Sequence, residues 1–298
     1  MSRLVDLSLE LPDISFIEGS TIDATVRATA GREVMMEGGR VELVRTVTYR
    51  YTAWSPYASP IAIPARDADV ISQAHFHPAS PLIDGQPLVQ PVALDIPPEG
   101  PGSVQTDLVE IGWAAHARLH LAGSRDAEVT RPIVVLSQAR DCAPVADTPP
   151  ALEDQGCAVL GFESLSSRRL VPGVPLSGVL TVAPLRSASA RAIRVELVLL
   201  EHVLHGPRLT DDPARNPAHE DKYAETVVAS LPLAEQVRLD PSRALRFGFT
   251  VPVPPRLPAP TMRTPKFMLS WMLRGVVDRQ LRRDPCVAIE LHAVTTPQ

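Results

Sequence analysis

Apolar and polar residues alternate with a period of two along most of the chain. Between Val109 and Leu121 the odd positions are apolar, and most even positions carry glycine, alanine or a polar residue. This spacing predicts a β-strand with one buried and one wetted face. The same alternation runs through three further segments, 41–53, 195–203 and 267–277. Arg45 and Glu201 interrupt it.

Helical periodicity is weak throughout. His219–Ala229 is the best helix candidate, but the prolines and charges that precede it favour a loop. The chain also contains 31 prolines, which break helices and favour short elements joined by turns. A strand with one apolar face must cover that face, and two antiparallel sheets packed face to face do so. We therefore predict an all-β fold built from antiparallel β-sandwiches.

A sequence repeat divides the chain. Gly19 corresponds to Gly173 at an offset of 154 residues, and the string RVELV recurs at the same offset, at Arg40–Val44 and Arg194–Val198. Because the spacing is preserved along with the identity, chance is a poor explanation for the match. The repeat predicts two homologous domains of the same architecture.

Later features place the domain boundaries. Trp113 corresponds to Trp271 at an offset of 158 residues, and an apolar strand then closes each half. We assign residues 1–140 and 158–298 to two tandem immunoglobulin-like sandwiches. The acidic, proline-containing segment 141–157 has no periodicity and is expected to be a linker.

The second half carries a recognisable series of motifs. Pro172-Gly173 precedes the alternating segment Leu176–Val182, and Arg194–Leu197 follows. A proline-rich strand at Phe247–Pro255 then leads to the aromatic strand Phe267–Leu273. In this order the chain resembles the arrestin superfamily, whose two domains are similar β-sandwiches. The resemblance covers nearly the whole chain.

Within that superfamily, the relevant comparisons are the bacterial sporulation-control proteins and the retromer subunit of the same fold. Such relatives imply adaptor or scaffold work without chemistry. The first half is more divergent, since Glu18-Gly19 replaces the Pro-Gly pair. No paired lysines occur in an early strand, so the phosphate-sensing features of the receptor-binding arrestins do not carry over.

Charge, hydropathy and cysteine content indicate the cellular compartment of the protein. The net charge is −5, and no apolar run approaches the roughly 20 residues that cross a bilayer. Acidic residues follow the N-terminus at once, unlike a secretory signal. Three cysteines suit a reducing compartment better than a disulfide framework. We expect a cytoplasmic, bacterial protein with no transmembrane segment and no nucleic-acid partner.

Candidate chemistry is sparse. None of the common nucleotide-binding, nucleophile or zinc-protease motifs is present, so we predict no enzyme activity and no cofactor. Glu42 and Glu196 are expected on a solvated strand face, Cys286 as a small buried residue, and Trp113 and Trp271 in the core. Three histidine pairs have spacings that suit a metal, although each supplies only two ligands: His75 and His77, His116 and His120, His202 and His205.

The leading hypothesis is an intracellular adaptor that binds proteins at sheet edges, in the groove between domains or on long irregular segments. Residues 55–90 and 206–222 are the two segments expected to be irregular. An arginine cluster near a predicted hairpin turn is a candidate site for an acidic peptide or an anionic membrane surface: Arg274, Arg279, Arg282 and Arg283. The alternatives are a small-ligand or carbohydrate-binding module and, less favoured, a metal-dependent enzyme that uses the histidine pairs.

Overall fold

A computed structural model gives the fold of the chain. The residues that the structure describes are 4–55, 58–76, 79–98, 100–137, 157–204, 219–280 and 284–295. They form β-strands and contain no helix, and most of the pairings are antiparallel. The prediction of an all-β fold with antiparallel sheets is thus confirmed.

Contacts within the chain define two compact units. The first contains Met1–Tyr49 and Pro64–Gln138, and the second contains Arg50–Ile63 and Ala139–Gln298. The predicted linker 141–157 lies outside the described residues apart from Cys157. The grouping of residues 50–63 with the second unit differs from the predicted division of the chain at 140.

The first unit has two sheets. Its strands are β1 (Val5–Glu10), β2 (Ser15–Ile17), β3 (Thr21–Ala30), β4 (Val34–Ser55), β5 (Ala58–Phe76), β6 (Ser80–Leu82), β7 (Pro87–Asp95), β8 (Val104–Gln105), β9 (Val109–Leu121) and β10 (Ala127–Leu136). The end of β4 and the start of β5 fall within residues 50–63, which group with the second unit. One sheet has the order β1-β3-β7. The other runs β4-β9-β10-β2, with β5 and β6 paired to β4, and β8 paired to β9.

The second unit repeats this order. Its strands are β11 (Ala158–Glu163), β12 (Arg169–Leu170), β13 (Leu176–Pro184), β14 (Ala188–Val203), β15 (His219–Glu220), β16 (Lys222–Leu239), β17 (Leu245–Val251), β18 (Met262–Arg263), β19 (Phe267–Asp278) and β20 (Cys286–Ala293). The small sheet is β11-β13-β17 and the large sheet is β12-β20-β19-β14-β16, with β18 on β19. The short β15 pairs with Thr52 and Ala53 of β4.

Alternation along the strands builds the core. Odd residues of β9 are buried and even residues are at least partly accessible, as the sequence predicts. In the second unit Leu180 of β13 approaches Gly275 of β19 closely, since a Cβ on Gly275 would lie 2.6 Å from Leu180 Cδ1. A side chain at position 275 would therefore collide with the opposite sheet.

The sequence repeat extends to individual hydrogen bonds. Trp113 Nε1 donates to the Pro101 carbonyl over 3.2 Å, and Trp271 Nε1 donates to the Ala259 carbonyl over 3.0 Å, so donor and acceptor both shift by 158 residues. Gly19 and Gly173 occupy matching turns with φ of 80° and 75°. The tryptophans lie in the core, as predicted, and a hydrogen bond satisfies each indole N–H.

Two predictions about irregular structure are wrong. Residues 55–90 contain β5, β6 and the start of β7 rather than a long loop. Residues 219–229 form β15 and the start of β16, and are neither a loop nor a helix. The physical reason is that β5, β7 and β16 lie at sheet edges, where prolines and polar residues are tolerated on both faces. The other predicted loop, 206–222, lies largely outside the described residues.

Candidate binding surface

The large sheet of the second unit has one face turned away from the core. Side chains at even positions of β14 and β19 and at odd positions near the start of β16 share this face because of the strand register. We call it the outer face of the second unit. It carries an ion-pair network at one end and an apolar depression at the other.

Glu196 is the centre of the ion-pair network. Its Oε1 lies 2.6 Å from Arg194 Nε, and its Oε2 lies 2.9 Å from Arg274 Nε. Arg274 Nη2 also lies 2.7 Å from Glu225 Oε1 on β16. The Glu196 side chain is only 6% exposed. The prediction that Glu196 stands on a solvated face is therefore wrong, because the two arginines cover it.

Burial and ion pairing act in opposite directions on these groups. Burial alone would raise the pKa of Glu196, but the hydrogen bonds from Arg194 and Arg274 outweigh it and hold that pKa below its usual value. Burial likewise lowers the pKa of Arg274, and the bonds to Glu225 and Glu196 more than reverse the effect. Glu196 and Arg274 are thus held in their charged forms.

The apolar depression lies at the other end of the outer face. It has a volume of about 450 Å³, and Leu200, Met268 and Tyr223 are among the side chains that line it. Tyr223 stacks on His202 with ring centroids 4.2 Å apart. His202 Nε2 lies 2.7 Å from Asp221 Oδ2, which fixes the imidazole beneath the tyrosine.

The charges around the depression already have partners. Asp221 pairs with His202, and Glu225 pairs with Arg274. The depression therefore presents apolar surface framed by carboxylates that already have hydrogen-bonding or ion-pair partners, an arrangement that suits an uncharged side chain of a partner.

The first unit has a related network on the matching face of β4, β9 and β10. Glu42 occupies the position of Glu196, and Arg40 Nε lies 3.3 Å from its Oε1. The cross-strand neighbour is His116, whose Nδ1 lies 3.8 Å from Glu42 Oε2. On β10, Glu128 accepts hydrogen bonds from Arg118 and lies 3.9 Å from His116 Nε2. As with Glu196, the prediction of a solvated Glu42 is wrong.

The predicted histidine pairs do not assemble a metal site among the described residues. His116 faces Glu42 and Glu128, while His120 Nδ1 lies 2.9 Å from Asp126 Oδ2. Nowhere in the described ranges do three or more histidine, cysteine or acidic side chains form a group suited to a metal ion. His77 and His205, the second members of the other two pairs, lie outside those ranges.

The arginine cluster is brought together only in part. Arg274 belongs to the ion-pair network, and its guanidinium is engaged by two carboxylates. Arg279 lies just after β19, where its backbone N–H donates to Asp284 Oδ1 over 2.7 Å. Arg282 and Arg283 lie outside the described residues. Cys286 is half-buried rather than fully buried.

A second hollow lies in the first unit. It has a volume of about 430 Å³ between the start of β1 and the β9–β10 turn, where Leu4, Leu7 and Leu121 meet Arg125 and Asp126. The mixture of apolar and charged side chains differs from the apolar lining of the depression in the second unit.

Sequence reasoning missed the depression. Its residues come from three strands, and the register that joins them is a long-range property. The one available signal was the alternation around Tyr223, in a segment that the sequence placed in a loop.

No protein-family model matches the chain, and no curated protein matches its sequence. Among the described residues, no helix is long and apolar enough to span a membrane.

Proposed function

We propose that this chain is a non-enzymatic adaptor or scaffold that binds a protein partner on the outer face of its second unit. The observation that carries the proposal is the apolar depression beside Tyr223, which is 68% exposed. An exposed aromatic side chain at the edge of an apolar hollow is a common anchor of protein interfaces. The surrounding ion pairs hold the face in one shape before a partner arrives.

The arrestin resemblance belongs to this proposal. It is supported by the repeated strand order and by the matching tryptophan hydrogen bonds of the two units. The sporulation-control and retromer proteins of that fold make adaptor work the natural expectation. A reducing, cytoplasmic setting is also proposed, because three cysteines suit a disulfide framework poorly.

Site-specific photo-cross-linking in the native cells tests the adaptor function. A photoreactive phenylalanine analogue replaces Tyr223, and in a matched protein it replaces Val89, an exposed residue of the first unit. We expect a discrete adduct with another protein from position 223 and none from position 89. Equal adducts from both positions, or none from position 223 in a folded protein, would reject the proposal.

Binding of a small ligand is the second candidate function, and the hollow beside Leu7 favours it. Its volume of about 430 Å³ falls within the range of small-molecule sites. A thermal-shift screen of sugars and metabolites tests it, because a ligand that binds only the folded state raises the unfolding midpoint with concentration. A Leu7→Ala protein that keeps the full shift would exclude this hollow.

A further inference from the structure

Strand β16 forms one edge of the large sheet of the second unit. Within the described residues it pairs with β14 along one side, and no strand pairs with its other side. An edge strand presents backbone N–H and C=O groups that another strand can use, so proteins protect their edges with prolines, bulges and charges. How β16 is protected therefore indicates where an added strand can bind.

The protection is concentrated in β16 from Val228 onward. The register shifts opposite Leu197/Val198 and Ile193/Arg194, which leaves Val228 and Leu233 without a direct partner on β14. Pro232 interrupts the same stretch, and Gln236 has a φ of 51°. These irregularities bend an edge and remove donors, so they discourage pairing there.

The start of β16 is regular. Lys222–Val227 pairs with β14 in an unbroken register of six residues, about the length of an ordinary strand. Tyr223 and Val227 project from it with 68% and 46% of their surfaces exposed. Its charged residues are Lys222 and Glu225, and Glu225 is held by Arg274.

The apolar depression adjoins this regular segment, Lys222–Val227. Tyr223 and Glu225 of β16 line it together with Leu200 of β14. A strand added beside Lys222–Val227 would project alternate side chains on the outer face, toward Tyr223 and Val227. Because Arg274 already holds Glu225, Asp221 is bonded to His202, and Tyr223 and Val227 are exposed, apolar side chains suit these positions better than basic ones.

We propose that Lys222–Val227 accepts an extended segment of the partner protein as an additional β-strand, whose alternate apolar side chains cover Tyr223, Val227 and the depression. This inference rests on the proposed adaptor function and specifies how the partner is recognised. Main-chain hydrogen bonds supply the affinity, and the depression selects the apolar positions.

A synthetic peptide tests the proposal on the full chain. The probe is a peptide of about ten residues in which valine alternates with threonine and a lysine stands at each end. We expect it to slow hydrogen exchange of alternate backbone amides within 222–227 by about ten-fold or more at saturation. The same peptide with a central proline lacks a donor and is expected to bind about ten-fold more weakly.

Matched lysine substitutions locate the site. Val227→Lys and Tyr223→Lys each place a charge on the edge, and we expect either to weaken binding about ten-fold or more. Val89→Lys is the control, since Val89 on the edge strand β7 is 45% exposed against 46% for Val227. It should leave binding unchanged. The unfolding midpoints of all three proteins establish that they are folded. If Val227→Lys does not fold, Tyr223→Lys provides the test.

The outcomes separate this inference from the adaptor function. If position 223 cross-links a partner but neither that partner nor the peptide protects the amides of 222–227, strand addition is overturned and the adaptor function stands. If the chain self-associates and Val227→Lys abolishes the association, the occupant is a second copy and the proposal is wrong. Peptide binding that Val227→Lys and Tyr223→Lys leave intact would overturn it as well.

Discussion

Arg274 and Glu196 face each other across β14 and β19, and the Nε–Oε2 distance is 2.9 Å. The equivalent pair in the first unit is His116 and Glu42, whose Nδ1 and Oε2 lie 3.8 Å apart. The repeat therefore keeps the carboxylate and changes its partner from a permanent cation to a titratable ring. The two networks should differ in strength.

Neutralising the two carboxylates tests this difference. Glu196→Gln removes the negative charge that accepts hydrogen bonds from Arg194 and Arg274 and replaces one acceptor oxygen with a donor, and we expect it to lower the free energy of unfolding by about 2 kcal/mol. Glu42→Gln is the matched change and should cost clearly less, because its contacts are longer. Urea unfolding of both variants measures the costs. Equal losses of unfolding free energy would show that pairing with arginine stabilises the fold no more than the contacts of Glu42 do.

Reversing the charge of Arg274 should damage the fold rather than a docking site. Arg274→Glu places a third carboxylate beside Glu196 and Glu225, and we expect the free energy of unfolding to fall by about 3 kcal/mol or more. Urea unfolding measures this loss.

Arg279 lies outside this network, and Arg279→Glu tests an acidic-peptide or anionic-lipid site at the turn. Co-sedimentation with anionic vesicles is the measurement. Unchanged binding by Arg279→Glu would remove that residue from any such site.

The tryptophan hydrogen bonds predict a shared cost. Trp271→Phe leaves the Ala259 carbonyl without its indole donor and opens space in the core, so we expect a loss of about 2 kcal/mol. Trp113→Phe should cost somewhat less, since its bond to Pro101 is longer and only partly buried. Calorimetric unfolding compares them. A cost at position 113 well above that at 271 would contradict the repeat-based argument.

Two strand glycines should respond to alanine in opposite directions. Gly275→Ala places a methyl 2.6 Å from Leu180 Cδ1, and we expect overpacking to cost about 1–3 kcal/mol. Gly112→Ala on β9 meets nothing within 4 Å, so it should be neutral or slightly stabilising, since glycine weakens a strand. Chemical unfolding gives both values, and destabilisation by Gly112→Ala would show a contact that the structure lacks.

His292 should make stability depend on pH. Burial, and then the charge of Arg169, lower the pKa of His292 below its usual 6.5. As pH falls through 6.5, the unfolded chain binds the proton first, so the folded state loses stability until the lowered pKa is reached. His292→Gln should flatten this dependence, whereas His75→Gln at an exposed position should not. Unfolding free energies at several pH values between 5 and 8 decide the matter.

Local alternation predicted the central strands well. The bounds of β9 agree with the apolar pattern at 109–121 because burial on one face leaves a strong period of two. The two residues that interrupt the alternation, Arg45 and Glu201, both lie on the inward parity of their strands. Arg45 keeps the inward parity, lies over the Trp113 ring with its Cζ 5.9 Å from the centroid, and reaches Asp69 over 3.0 Å. Glu201, the other interruption, is 1% exposed.

Edge strands and surface sites were beyond the reach of sequence patterns. β5 and β16 are accessible on both faces over much of their length, so their sequences lack the one-sided pattern that marks a central strand. The burial of Glu196 depends on arginines from β14 and β19, which only the register brings together. Long-range pairing decides both features, and a single sequence does not specify it.

The two offsets of the repeat also locate where the copies changed length. Gly19 and Gly173 differ by 154 residues, whereas Ile96 and Pro254, the carbonyls that accept from these glycines, differ by 158. The second half is therefore 158 − 154 = 4 residues longer between these points. The RVELV match still holds at 154 through Val198, so the difference in length lies after it, in the part of the chain that contains β16. The two halves thus differ in length at the margin of the sheet, where a change is tolerated without rebuilding the core.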